Sequence, residues 1–144
     1  MRQKTFSSDR PENPFIIENI KNGRCTILFF DNIEEFVDEE ENITYKYDLY
    51  EMNDVPYRDN LSSTIQNDLN SWLNIAKNQD RDAVASEVRK TRDELLSRTD
   101  WTQMKDTALS EEKQRKYAIY RQALRDIPQQ VGFPYDVVFP VLED

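Results

Sequence analysis

The chain has 144 residues, 33% of them charged, with a formal net charge of −9, two glycines and no histidine. This length favours one domain with a core of ordinary size. The lack of histidine excludes the usual catalytic triads and most zinc sites, and two glycines cannot build a glycine-rich phosphate loop. No cationic face suited to nucleic acid is visible, and no apolar run is long enough for a membrane helix.

The N-terminal segment, residues 1–14, is polar and contains two prolines, which predicts a flexible tail or, as the alternative, a tail that becomes ordered on contact. It lacks the apolar stretch of a secretion signal. Cys25 is the single cysteine, so no intrachain disulfide can form, and we expect a protein made and folded in a cytoplasm. No histidine or lysine-rich setting activates this thiol, so we interpret Cys25 as a small residue of the sheet.

Residues 15–57 are expected to form an antiparallel meander of three strands. Asn22-Gly23 between two apolar runs indicates a type I′ hairpin turn, with strands near 15–21 and 24–30. Cys25, Ile27 and Phe29 share one face of the second strand. A third, half-buried strand is predicted where apolar residues recur at every second position, namely Ile43, Tyr45, Tyr47 and Leu49, with Thr44, Lys46 and Asp48 opposite.

The excess negative charge lies in one stretch. Residues 31–60 hold eleven acidic and two basic residues, which accounts for the whole net charge. We interpret the run at 38–41 as a solvated loop, and docking to a basic partner surface is the alternative. The run lacks the spacing and glycine of an EF-hand calcium loop. Although a hydrolase built only on carboxylates is left open, we predict no catalytic, cofactor-binding or metal-binding residues.

Residues 58–144 are expected to be a helical region that forms one compact unit with the meander. The first helix has an apolar stripe of Leu61, Ile65, Leu69, Trp72, Leu73 and Ala76. Trp72 then belongs to the core, and ligand stacking is its alternative role. The polar cluster Asn78-Gln79-Asp80 is predicted to interrupt the chain. A second helix then starts at Asp80 or Asp82 and ends at Thr99-Asp100-Trp101, where Trp101 can cover the helical core.

A third helix is predicted to begin after Ser110, a good N-cap residue, and to end before Pro128. Its inward face contains Tyr117, Tyr120, Leu124 and Ile127. Arg121 and Arg125 lie one turn apart, which is unfavourable unless carboxylates stand nearby. We therefore predict a network of these arginines with Asp93 and Asp100, and a solvated face is the alternative.

A proline-containing tail follows the third helix. Gly132-Phe133-Pro134 is predicted to form a turn, and residues 135–141 a short extended segment. Because Pro140 cannot donate to a sheet, this segment is expected to be an edge strand or a docked tail. The predicted fold class is thus α+β, with a three-stranded meander, three helices and an extended tail.

Several short motifs occur in a fixed order between residues 92 and 140. They are Arg92-Asp93 with Leu95-Leu96, then Thr99-Asp100-Trp101, then Tyr120-Arg121-Gln122-Ala123-Leu124-Arg125-Asp126-Ile127-Pro128, then Gly132-Phe133-Pro134 and Phe139-Pro140. Together they resemble the phage tail assembly chaperone-like domain of tail and tail-fibre assembly proteins. Family members often carry Trp where this chain has Tyr117, an aromatic exchange that should preserve packing.

The resemblance implies a protein that is made in the infected bacterium, binds a tail-fibre or receptor-binding subunit and assists the folding, trimerisation or attachment of that subunit. It would work in the host-cell cytoplasm as a transient factor, or remain as a structural part of the virion tail. The family offers no catalytic residues or cofactors to transfer. We predict a partner surface on the helix pair 82–127 and the tail, shaped by residues that could instead pack within the monomer: Trp101, Tyr117, Tyr120, Arg121, Arg125, Phe133 and Phe139.

Overall fold

The computed structural model describes residues 3–142 and has an α+β fold, with an antiparallel sheet and three α-helices. By its internal contacts the chain divides into two units, residues 1–80 and residues 81–144. The boundary between them lies inside a helix. The sequence-based division into residues 15–57 and 58–144 places the boundary elsewhere and stays a prediction.

The sheet has four strands in the described residues, where three were predicted. They are β1 (Gln3–Ser7), β2 (Phe15–Lys21), β3 (Arg24–Val37) and β4 (Ile43–Pro56), in the order β1-β4-β3-β2. The additional strand, β1, lies in the segment that we predicted to be a tail, and it pairs with β4 from Gln3↔Leu49 to Ser7↔Tyr45. An edge strand can add through backbone hydrogen bonds alone, so a polar sequence gives no alternation to detect.

The predicted hairpin between β2 and β3 is confirmed. Asn22 and Gly23 both have positive φ, 52° and 72°, as a type I′ turn requires. Further residues with positive φ, Asn19, Asn32 and Asp54, lie at irregularities of the strand register. Asn and Asp tolerate this conformation better than most residues, and such bulges bend a sheet locally.

The strands β3 and β4 extend further than predicted, to Val37 and from Ile43, and the acidic run at 38–41 lies in the loop between them. The Asp38 carboxylate accepts hydrogen bonds from the backbone N–H of Asn42 (2.8 Å) and of Glu40 (2.9 Å). Its other oxygen accepts one from the Asn42 side chain. These hydrogen bonds lower the pKa of Asp38, and the two from Asn42 contribute most.

One apolar cluster forms the core of residues 1–80. Its residues are Phe15, Cys25, Ile27, Phe29, Tyr50, Met52, Val55, Leu61, Ile65 and Ala76. Cys25, Ile27 and Phe29 are all buried, so their predicted position on one face of β3 is confirmed. Burial also raises the pKa of the Cys25 thiol. In β4 the register places Tyr50 opposite Phe29 and Met52 opposite Ile27. Up to Met52 the core side of β4 therefore carries even-numbered residues, and after the register shift it carries Val55. The predicted odd-numbered set, residues 43 to 49, lies half-buried or exposed on the other face.

Two helices complete this unit, α1 (Leu61–Asn67) and the first part of α2 (Leu69–Arg98). They are separated at Asp68, which has φ −140°. The predicted interruption at Asn78-Gln79-Asp80 is wrong, because α2 continues through it. The cluster contains no glycine or proline, and the side chains of Asn78 and Gln79 are exposed, so nothing there prevents helical backbone.

The unit of residues 81–144 contains the rest of α2, a 3-10 helix (Asp100–Gln103), α3 (Glu111–Asp126) and a second 3-10 helix (Ile127–Gln129). The predicted cap of α3 is confirmed, since Ser110 Oγ accepts a hydrogen bond from the Lys113 N–H at 3.3 Å. Pro128 follows the last turn, as expected. The described tail, 130–142, contains no strand, so of the two predicted forms the edge strand is wrong.

Candidate partner-binding surface

Arg121 joins α3 to the end of α2. Its side chain is buried, and Nη1 donates to the Leu96 carbonyl oxygen (2.6 Å) and to Thr99 Oγ1 (2.7 Å). Nη2 pairs with Asp100 Oδ1 at 2.6 Å. The last carbonyl groups of a helix lack partners within it and carry partial negative charge, so a guanidinium is well suited to this place. Arg121 therefore fixes the helix pair.

The predicted arginine network is confirmed only for Arg121 and Asp100. Arg125 is exposed and makes no ion pair with any described residue, while Asp93 pairs with Arg92 on its own helix at 2.7 Å. Successive residues of a helix are turned by about 100° from each other. Arg125 is one position beyond the buried Leu124, and this rotation carries it away from α2.

Trp101 and Tyr117 form an aromatic pair, in which Trp101 is exposed and Tyr117 is half-buried. Their ring centroids lie 6.0 Å apart with an interplanar angle of 61°, an edge-to-face arrangement. We expected Trp101 to cover the helical core, but its side chain is 50% exposed. The neighbouring Thr102 is the buried residue of this turn, and its Oγ1 donates to the Thr99 carbonyl oxygen at 2.6 Å.

The tail is folded back on itself by a side-chain amide. Gln130 Nε2 donates to the Val138 carbonyl oxygen, and Gln130 Oε1 accepts from the Val138 N–H, both at 2.8 Å. Inside this loop the Asp136 N–H donates to the Gly132 carbonyl oxygen at 2.8 Å. A Cβ at Gly132 would collide with the Asp136 carbonyl oxygen, so this approach requires glycine.

The Phe133 ring is held against α2. The guanidinium carbon of Arg89 lies 5.1 Å from the centroid of this ring, a cation–π contact. Pro134, the next residue, is buried. Phe133 thus helps to fasten the tail, and it is not free to make contacts on all sides.

A groove of about 330 Å³ runs between α3 and the end of the tail. Its walls are formed by Lys116, Ile119, Tyr120 and Ala123 of α3 and by Pro140, Val141 and Leu142. Ile119 is 71% and Val141 84% exposed. Exposed apolar side chains that line a concavity together are typical of protein-binding surfaces.

The seven predicted partner residues have different surroundings in the structure. Tyr120 lines the groove, Trp101 and Tyr117 pair with each other, and Phe133 contacts Arg89. Of the others, Arg121 is buried, Arg125 is exposed and Phe139 is half-buried. Their role in partner binding stays a prediction.

The sequence reasoning missed Ile119 and Val141. Each carries a signal that could have been used. Ile119 is an apolar residue on the polar side of α3, away from the stripe of Tyr117, Tyr120 and Leu124. Val141 is an apolar residue directly after Pro140, and the segment around it forms no strand that would bury it.

Within residues 3–142, no group of three or more His, Cys, Asp or Glu side chains could hold a metal ion. No helix in the same range is long and apolar enough to span a membrane. The groove between α3 and the tail can bind another chain through apolar contacts.

A family model described as phage tail assembly chaperone protein matches residues 85–142. This part of the chain is similar to phage tail assembly chaperone proteins. The match contains the whole stretch of residues 92–140 on which the resemblance depended, and it contains every residue of the groove. It supports a role in phage tail assembly and an interaction with phage tail proteins. No curated protein and no solved structure matches the chain.

Proposed function

We propose that the protein is a non-enzymatic phage tail or tail-fibre assembly factor. It binds a tail-fibre or receptor-binding subunit in the host-cell cytoplasm and assists the folding or attachment of that subunit. The observation that carries this proposal is the apolar groove between α3 and the tail, because it lies within the region that matches the assembly-chaperone family.

The groove suits an apolar segment that must be kept from water during assembly. Burying Ile119 and Val141 against such a segment would contribute about 1.5–3 kcal/mol for each side chain. The hydrogen bonds of Gln130 fix the tail before the partner arrives, which lowers the entropy lost on binding. The same preorganisation also suits a permanent contact, so a retained structural part of the virion tail is the alternative function.

Two measurements separate these functions. An assembly factor is expected to be absent from purified virions and to co-purify with the fibre subunit from infected cells. A structural component is expected in virions at a fixed ratio to the major tail protein, as determined by quantitative mass spectrometry. Absence from virions together with no association with any tail or fibre subunit would refute both proposals.

Substitutions in the groove test its part in binding. The double variant Ile119→Glu with Val141→Glu is expected to weaken capture of the co-expressed fibre subunit by roughly tenfold or more, because two charges enter an apolar contact. Val131→Glu is the matched control, since Val131 is a fully exposed valine of the same tail that does not line the groove. Equal capture by both variants would exclude the groove as the binding site.

A further inference from the structure

The strand β3 has an open edge in its second half. The pairing of β2 with β3 extends to Phe15↔Phe29, and the Phe30 N–H donates to the Pro14 carbonyl oxygen at 3.0 Å. From Asp31 to Val37, within the described residues, β3 has a strand only on its β4 side. The backbone groups on the other side of this stretch have no strand to bond.

The register shows which groups face this edge. The Asp38 N–H donates to the Asn42 carbonyl oxygen at 3.0 Å, so the hydrogen-bonding groups of residue 38 point towards β4. Direction alternates along a strand, and the bulge at Asn32 lies before this part. Counted back from residue 38, the N–H and C=O groups of Glu35 and Val37 therefore point outwards, in position to pair with an added strand.

Exposed edge strands are often protected by charged side chains, most of all lysine, or by proline. Residues 33–37 contain neither lysine nor proline, and their charges are the carboxylates of Glu34 and Glu35. Val37 is 61% exposed, and Phe36 and Ile43 beside it are exposed as well. Residues 34–41 contain six acidic residues and no basic one. Lys46, which pairs with Glu34 across the ladder, lies 5.8 Å from the centroid of the Phe36 ring. The edge thus combines free backbone groups, apolar side chains and a strong negative charge.

The negative charge of this edge distinguishes between the kinds of chain that could bind to it. A second copy of this chain would bring one row of carboxylates against another, which is repulsive. Nucleic acid is repelled for the same reason. An extended polypeptide rich in Lys and Arg complements the charge and can satisfy the open backbone groups.

We propose that the open edge of β3, residues 33–37, binds an extended Lys/Arg-rich segment of a partner protein as an added β-strand. This surface belongs to the unit of residues 1–80 and lies outside the region that matches the chaperone family. It is therefore a second contact, independent of the groove between α3 and the tail, and it goes beyond the proposed function.

The test uses the full chain and a short synthetic peptide in which Lys alternates with Thr and Val. Titration followed by amide NMR should shift the signals of Glu35 and Val37, and added salt should weaken the binding. A peptide of the same charge in which prolines replace the Val residues is the control, because it cannot form a strand. Equal binding of both peptides, or shifts confined to the loop at 38–41, would overturn the proposal in favour of unspecific attraction.

Variants at Glu35 separate charge from backbone pairing. Glu35→Pro removes an N–H that faces the open edge and leaves the β3–β4 ladder intact, so it should weaken binding by roughly tenfold or more. Glu35→Gln removes the same charge but keeps the N–H, and it should weaken binding only a few-fold. Equal affinities of the two variants would overturn the proposal, provided that the NMR spectrum shows both folded.

Discussion

Residues 1–80 and residues 81–144 keep their shapes by different means. In the first unit ten apolar side chains are buried in one cluster between the sheet and the helices. In the described part of the second unit the buried apolar side chains are Ala85, Leu124, Ile127 and Pro134. There the elements are tied by the hydrogen bonds of Arg121 and Gln130. Hydrogen bonds depend on direction, whereas apolar burial does not. Because its hydrogen bonds are directional, the second unit holds a specific shape although it buries few apolar side chains.

This difference accounts for the surface of the second unit. Several of its large apolar side chains are exposed, namely Trp101, Met104, Ile119, Val131, Val138 and Val141. A unit that does not need these side chains for its own core can offer them to another protein. The family match falls on this unit, which agrees with a surface made for association.

The largest effect is expected in the core of the first unit. Phe29 is fully buried, and Phe29→Ala should lower the free energy of unfolding by about 3–5 kcal/mol because it leaves a cavity. Ile20→Ala, at an exposed position of the same sheet, should change it by less than about 0.5 kcal/mol. Denaturant unfolding followed by the fluorescence of Trp72, with Trp101 replaced by Phe, measures this unit. Similar losses in both variants would show that the sheet core is not what stabilises it.

The second-largest effect is expected at the polar tie of the second unit. Arg121→Met should lower the free energy of unfolding by about 2–3 kcal/mol, because the Leu96 carbonyl and the Thr99 hydroxyl lose a charged donor. Asp100 is two-thirds exposed and regains water, so its share is small. Arg125→Leu is the control and should cost less than about 0.5 kcal/mol. With Trp72 replaced by Phe, Trp101 reports this unfolding, and equal losses would contradict the role of Arg121.

A smaller effect distinguishes the two glycines. Gly132→Ala should cost about 1–2 kcal/mol by crowding the Asp136 carbonyl, and Gly132→Asn at least as much. Gly23 has open space around it but φ +72°, so Gly23→Ala should cost about 1 kcal/mol through backbone strain. Gly23→Asn should recover most of this loss, because Asn tolerates positive φ. Thermal unfolding of the four variants provides the comparison. If Gly132→Asn were more stable than Gly132→Ala, the steric explanation for position 132 would be contradicted.

The smallest effect is expected from Asp38, where the lowered pKa links stability to pH. Its contribution is present above the unfolded-state pKa of about 3.9 and is lost as the pH falls through the folded-state value. Asp38→Asn should therefore destabilise slightly at neutral pH and not at a pH below both values. Glu39→Gln in the same loop is the control, expected to change nothing. A destabilisation by Asp38→Asn that persists in acid would refute this explanation.

Local chemistry was predictable from the sequence. Asn22-Gly23 supplies both residues with positive φ that the hairpin needs, and Ser110 supplies the oxygen that caps α3. The motifs of the C-terminal region also indicated the family that the comparison found.

Tertiary context was not predictable. The polar strand β1 is held by backbone pairing that leaves no side-chain pattern. The side of β4 that meets the core depends on which part of the sheet the helices cover. Arg121 and Arg125 are the same residue type one turn apart, and only the rotation of α3 buries the first and exposes the second.

Hydrogen–deuterium exchange of the chain, alone and in complex with the purified tail-fibre subunit, tests the central claim that the groove is the contact. We expect slower exchange in residues 116–123 and 138–142, which include the walls of the groove, with no comparable change in residues 15–56. Unchanged exchange in both groove segments of a formed complex would contradict the claim, and it would place the contact elsewhere on the chain.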